Sequence, residues 1–403
     1  MANATRIARR LFASLPAVGA LYLALPAHAA DPEKSFDVYG FAQVDYIQDF
    51  KRVDPSWEDT LRPSRIPTTE GVFGSDGQAS VSAKQSRLGV QGTLPVGGRE
   101  LYAKFEFDLF GVGVDAGQTT IRTRHMYGQW GQFLGGQTNS LFMDIDVFPN
   151  VVDYWGPAGM VFLRTPQIRW TPISGDTRFA IAIEKPGNDI DPGQVRNLDP
   201  NLGANLRNDE KAPDITAQLR FSGDWGHVLA GAIARRVGFD SFGTPDNRPK
   251  GHDTGWGLDL AGALNLRQKD KILIGVVYGE GIASYMNDGG VDLAPDGVVG
   301  AIEPKAVPLF GVTAYYDLYW SEKWSSSLGY SRTQVENTTL QTPDAFFKGE
   351  YASVNLLYYP GEKMLMGIEG LWGRRTDNNG ATGDDYRVQV SFKYSFSSKD
   401  FLQ

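Results

Sequence analysis

The chain has 403 residues, no cysteine and a formal charge of −8, from 39 Lys and Arg against 47 Asp and Glu. That balance argues against a nucleic-acid polyanion as partner, and the missing cysteine excludes disulfides and thiolate chemistry. Glycine (47) and the aromatics (17 Tyr, 22 Phe, 9 Trp) exceed their usual share in globular proteins.

Residues 1–29 read as a secretory signal. Arg6, Arg9 and Arg10 form a basic region, Leu11 to Leu25 an apolar one, and Ala27-His28-Ala29 a small-x-small cleavage site. Pro16, Gly19 and Pro26 interrupt a span already shorter than the roughly 20 apolar residues a membrane helix needs. The expected organisation is therefore a signal over 1–29 and one structural unit over 30–403. Cleavage would remove three arginines and no acid, leaving 36 basic against 47 acidic residues.

From Phe36 onward the dominant period is two. In 98–111, Leu101, Ala103, Phe105, Phe107 and Leu109 lie on one face, with Tyr102, Lys104, Glu106 and Asp108 on the other. Such alternation fits a strand between an apolar and a polar medium. The same reading predicts strands at 36–50, 79–94, 98–111, 119–131, 133–139, 164–172, 177–186 and 213–222. A second group is expected at 225–239, 254–268, 270–283, 307–320, 322–337, 348–360, 362–375 and 386–397. Tight links such as Pro95-Val96-Gly97-Gly98, Ser174-Gly175-Asp176 and Pro360-Gly361 alternate with long polar ones. The long ones are 51–78, 112–118, 140–163, 187–212, 240–253, 284–306, 338–347 and 376–385. Short links on one rim and long links on the other define an all-β fold, a sixteen-stranded antiparallel transmembrane β-barrel.

The final strand shows why a dry sandwich fits less well. Val388, Val390, Phe392, Tyr394 and Phe396 oppose Arg387, Gln389, Ser391, Lys393 and Ser395. A charged face needs a partner for each charge in a dry core but costs little against a watery lumen. Tyr315-Tyr316, Tyr319-Trp320, Trp324, Tyr358-Tyr359 and Trp372 suit interfacial girdles in the outer-membrane lipid. Strand 119–131 is an exception. With Arg122 and Arg124 in the lumen, strict alternation leaves Thr123, His125, Tyr127 and Gln129 outward, a face better placed against another subunit than against lipid.

The chemistry concentrates between Thr119 and Trp170. Arg122 and Arg124 precede, and Arg164 and Arg169 follow, a long loop that carries Asp144, Asp146 and Asp153. Folded into the lumen, this third long loop would set charges of both signs around an aqueous path. Arginine suits a passage for small anionic solutes, since its fork takes both oxygens of a carboxylate. Lys84, Arg87, Lys104, Arg178 and Arg387 are further wall bases. The acids either tie the loop to the arginines or form the opposite side of a transverse field. No nucleophile–base pair, phosphate loop or metal-ligand spacing occurs, so neither an enzyme nor a cofactor is expected. Asp288, Asp292 and Asp296 are read as solvated loop acids rather than a calcium loop. A substrate-specific receptor barrel is the other functional reading, although no segment is large enough for a plug.

Two motifs carry a resemblance. Ser86-Arg87-Leu88-Gly89-Val90-Gln91-Gly92 resembles an early strand of Gram-negative trimeric porins. Arg124-His125-Met126-Tyr127-Gly128-Gln129-Trp130-Gly131, continuing to Gly136-Gln137-Thr138-Asn139-Ser140-Leu141-Phe142-Met143-Asp144, is similar to a segment of the DcaP-like porins. The resemblance implies a homotrimeric porin in the outer membrane of a Gram-negative bacterium. It also implies that loop three folds inward and that small anions such as dicarboxylates are preferred. Arg122, Arg124, Arg164 and Arg169 would then line the pore, with Asp144, Asp146 and Asp153 on the constriction loop. Barrel-assembly machinery would recognise the end of the chain through Phe396 or Phe401.

Overall fold

The computed structural model describes residues 34–198, 205–267, 269–298 and 300–401. The expected signal, 1–29, lies outside them. The sixteen barrel strands are β1 Ser35–Asp49, β2 in two pieces, Gln78–Ser82 and Arg87–Val96, β3 Arg99–Phe110, β4 Thr119–Trp130, β5 Phe133–Asn139, β6 Arg164–Ile173, β7 Thr177–Glu184 and β8 Asp214–Gly223. They continue as β9 Gly226–Ser241, β10 Gly251–Asn265, β11 Lys271–Glu280, β12 Pro308–Tyr319, β13 Trp324–Val335, β14 Phe346–Gly361, β15 Met364–Asp377 and β16 Thr382–Ser397. Each pairs antiparallel with its neighbours. The ring closes where β1 meets β16, from Tyr39 opposite Ser397 to Asp49 opposite Arg387. Closure leaves no free sheet edge, the condition for strands to cross lipid.

Alternation sorts the two surfaces as the sequence led one to expect. On β10 and β11, Leu258, Leu260, Ile274 and Val276 face outward and are exposed on the isolated chain. On β16, Arg387, Gln389 and Ser391 point inward and are buried. The tight link between β2 and β3 turns on Gly97 and Gly98, with φ of 60° and 72°, a left-handed pair that glycine adopts without strain.

Strand β4 departs from strict alternation. The ladder between β3 and β4 slips at Glu106/Phe107: Phe107 faces Thr123, but Glu106 faces His125, so Arg124 is a bulge. One extra residue flips the parity beyond it. His125, Tyr127 and Gln129 consequently face the lumen side, while Ile121, Met126 and Trp130 are exposed on the outer side. The polar outward face expected for this strand does not form.

The third loop, 140–163, lies inside the barrel. Ser140 N donates to Leu163 O at 3.0 Å and closes its neck. Phe142, Met143 and Val161 pack with Ile233, Val277 and Ile282, and Val147, Ala158 and Met160 with Ala261, Ala263, Leu273 and Tyr315. Small residues on the wall make room. A Cβ on Gly257 would lie 2.8 Å from the Phe142 ring. Where loop meets wall at Gly159, a Cβ would stand 2.1 Å from Arg332 O and 2.6 Å from Val312 O. The loop thus fills the β9–β15 side of the lumen and leaves the β2–β6 side open. Within the sixth loop a further hairpin, Leu293–Val298 with Ala301–Ala306, replaces the irregular segment expected there.

Candidate functional site

A cavity of about 800 Å³ lies between the third loop and the wall of β2–β6 and β16. Arg87 on β2, Lys104 on β3, Arg122 and Arg124 on β4, Arg164 on β6 and Lys393 on β16 line it. Four of these cations pair with Glu106 or Asp108 on β3, and Asp153 of the loop also borders the cavity. Arg122 grips Asp108 with both arms of its fork, Nε at 3.1 Å and Nη2 at 2.8 Å. Arg124 is shared between Glu106 at 2.9 Å and Asp108 at 3.1 Å, and its Nη1 also donates to the Tyr154 hydroxyl at 3.0 Å. Arg87 and Lys104 reach the same Glu106 at 3.6 and 3.3 Å.

Two cations stand apart. Among the described residues, no carboxylate forms an ion pair with Arg164 or Lys393. The Arg164 guanidinium carbon lies 4.8 Å from the Phe162 ring centre, and its buried Nε has no hydrogen-bond partner. Lys393 Nζ is 5.2 Å from the ring of Phe41, which also carries Arg87 at 5.0 Å. A guanidinium and an ammonium beside water, unmatched by carboxylates, are what an incoming anion can replace water on.

Arg122, Arg124 and Arg164 therefore share one chamber, and Arg169 does not line it. Arg169 donates to Gln167 Oε1 at 2.9 Å and Asn139 O at 2.6 Å, further along β6 toward the short turns. Arg178 leans on Gln218. Lys84 is taken up by Asp59, and Arg387 is buried against Asp49 at 2.6 and 2.9 Å. Neither borders the chamber.

The loop acids do not meet the four arginines named from sequence. Asp146 pairs with Arg220 of β8 at 2.6 Å; Asp144 lies 3.6 Å from the same Arg220 and 2.6 Å from His227 Nε2. Ligand atoms of Asp144, Asp146 and His227 come within 4.8 Å of one another, and the Arg220 guanidinium reaches both carboxylates. Asp153 accepts from Thr60 Oγ1 at 2.8 Å, Leu61 N and Gly156 N at 3.1 Å, and the Tyr351 hydroxyl at 3.2 Å.

Other acids behave like Asp153 and hold loop backbone. Glu369 accepts from Val152 N at 2.8 Å and Asp153 N at 3.1 Å, Asp317 from Asn150 N at 3.3 Å, and Glu184 from Leu141 N at 3.0 Å. Asp288 takes Ser64 N at 2.8 Å, and Asp292 takes Asp189 N at 2.8 Å and Ser284 N at 3.1 Å. Asp288 and Asp292 are buried, so the expectation of solvated acids fails for them: loop N–H groups inside a barrel need acceptors, and carboxylates supply them. Asp296 receives the Thr339 hydroxyl and amide, which hold its carboxyl below the usual range.

A closed sixteen-strand barrel with an apolar belt outside, a charged lumen and an inward third loop is the architecture of an outer-membrane porin. Comparisons with known proteins agree. Residues 26–227, half of the chain, match the family model described as DcaP outer membrane protein, and the chain belongs to that family. Its place is accordingly the outer membrane of a Gram-negative bacterium. No curated protein matches the sequence. Among solved structures, the outer membrane channel DcaP of Acinetobacter baumannii is similar at 23% identity and a TM-score of 0.73, over 90% of this chain and 97% of that one. An anion-selective porin from Comamonas acidovorans aligns at 10% identity and 0.58, over 90% and 100%. The trimer form of OmpT of Vibrio cholerae aligns at 12% and 0.54, over 91% and 100%. At these identities the likeness concerns the fold.

Proposed function

We propose that the protein is a passive channel for small hydrophilic solutes that favours anions, dicarboxylates among them. The observation that carries this is the lining of the inner chamber, where, among the described residues, Arg164 and Lys393 stand without a carboxylate while Glu106 and Asp108 are taken up by other cations and Asp153 holds loop backbone. Whole-chain charge is negative, yet local charge governs the path, because charges beyond a Debye length of about 8 Å are largely screened. Arg122 and Arg124, each paired, shape the wall and add to its positive field. Arg169 stands beyond the chamber, and Asp144 and Asp146 with Arg220 form a separate charged group. Residues 1–29 serve as the cleaved signal, and the barrel-assembly machinery inserts the mature chain, 30–403.

The test is the reversal potential of the purified channel in a planar bilayer under a salt gradient. Wild type should reverse on the anion side. One unit charge about 6 Å from a watery path is worth about 0.7 kcal/mol, so the double substitution Arg164→Gln and Lys393→Gln should cut relative anion permeability roughly tenfold. A wild-type channel that prefers cations would sink the reading.

The working unit is proposed to be a homotrimer. Its support is a solved trimeric relative in fold and a flat stripe across the outer face: Gly92, Ala103, Gly128 and Gly135 are consecutive partners from β2 to β5. Small residues let two walls approach closely. Cross-linking in mild detergent should trap three copies; monomer alone would count against it.

A further inference from the structure

On the long-loop side of the chamber lies a second cavity, of about 750 Å³, lined by Trp57, Arg62 and Arg65 of the first loop and by residues of the sixth. The two cavities have five residues in common: Val112, Trp155, Phe162, Leu163 and Asn287. None of them is charged. The two cavities therefore abut at two aromatic rings, two aliphatic side chains and an amide. We propose that this collar, and Trp155 and Phe162 above all, sets the size and shape limit of the channel, while the cationic wall behind it sets the sign of charge.

The rings are held, not loose. Trp155 Nε1 donates to Asn287 O at 2.5 Å, and Asn287 Nδ2 donates back to Trp155 O at 2.6 Å and to Pro157 O at 2.8 Å. Trp57 packs edge-on against Trp155, centroids 5.0 Å apart at 82°. Phe162 N donates to Tyr285 O at 2.9 Å, and its ring packs 5.4 Å from Phe148. First, third and sixth loops thus clamp the same neck. Both amide hydrogens of Asn287 are engaged, so the collar offers a passing carboxylate no free side-chain donor.

Cations stand at each mouth instead. On the outer side the Arg62 guanidinium carbon lies 4.5 Å from the Trp155 ring. On the inner side Arg122 lies 6.0 Å from that ring and Arg164 lies 4.8 Å from Phe162. An anion moves from one guanidinium to the next across an uncharged step. Crossing it depends on cross-section and on shedding water, which favours a flat monoanion over a bulky, heavily hydrated one of equal charge. The sign of the solute rests on the anion reading above; the size limit does not.

The experiment compares wild type with Trp155→Ala and with Phe162→Ala, reconstituted in bilayers and liposomes. Readouts are single-channel conductance, reversal potential, and the flux ratio of benzoate to gluconate. Both variants should raise conductance by about twofold or more and bring the flux ratio toward one, since an uncharged constriction is relieved. The reversal potential should stay on the anion side. Phe162→Ala removes no side-chain hydrogen bond, so it separates widening from loosening of the loop. Unchanged conductance and flux ratio in Phe162→Ala would overturn the proposal. Cation preference in wild type would overturn the anion reading and leave the size limit to be judged on conductance alone.

Discussion

The two sides of the lumen use charge in opposite ways. On the β2–β6 side, cations outnumber acids, and Arg164 stands with a buried Nε unmatched. On the β12–β16 side, Asp317, Glu369 and the Arg387–Asp49 pair are buried under the third and first loops. Acids there receive backbone N–H groups, as Glu369 does from Val152 and Asp153. A carboxylate makes a good clamp for a loop because it accepts several donors at once; a guanidinium only donates, so it is suited to oxygen-rich solutes. The comparison explains how a chain of net charge −8 has a chamber lined by more cations than acids. Its acids are not absent from the lumen. They are covered.

Breaking the clamp should give the largest effect. Glu369→Ala leaves the amides of Val152 and Asp153 and the Asn355 side chain without their shared acceptor. Each buried donor so orphaned costs roughly 1–3 kcal/mol. The barrel, held by sixteen ladders, should still form, but the third loop should loosen. Single-channel traces should become noisy with a higher mean current, while far-ultraviolet dichroism stays β-dominated. Quiet traces of wild-type amplitude would show that the acid wall does not hold the loop.

Much of this was legible in the sequence, and the failures have physical causes. Period-two alternation together with the spacing of tight turns marks the sixteen strands, because a wall between lipid and water favours that pattern. The bulge at Arg124 could not be read that way: alternation carries no signal for one extra residue, and the outward face inferred for 119–131 was wrong for that reason. The hairpin at 293–306 was hidden by Pro295 and Pro304, which depress strand signals although both sit opposite one another in a two-stranded ribbon. Nearness to the loop marks Arg122, Arg124, Arg164 and Arg169, of which the first three share a chamber and Arg169 does not. Lys393 lay on the right face of the last strand, but only ring closure, β16 beside β1, brings it to that chamber. The partners of Asp144 and Asp153 depend on where the loop crosses the lumen. Nothing local in the sequence encodes that.

A smaller effect would sharpen the comparison from the basic side. Asp108, with Glu106, offsets the cationic wall: it takes both arms of Arg122 and one of Arg124, and Tyr154 donates to it as well. Asp108→Asn keeps the shape and one acceptor oxygen but removes a unit of negative charge. If the wall sets ion preference, this change should push the reversal potential further toward anions, the reverse of the Arg164→Gln and Lys393→Gln result. With the charge about 6 Å from the path in water-like surroundings, the gain is about 0.7 kcal/mol, or roughly threefold in relative permeability. Some of it will be offset, because Arg122 and Arg124 then lack an anchor and can swing away from the path. The two contributions separate with salt. Direct charge effects shrink as ionic strength rises and the Debye length falls to about 3 Å at 1 M, whereas a displaced side chain alters conductance at every salt concentration. A shift toward cations at low salt would mean that Asp108 serves the passage mainly by holding its arginines in place, and the field of the wall would then be secondary to its geometry.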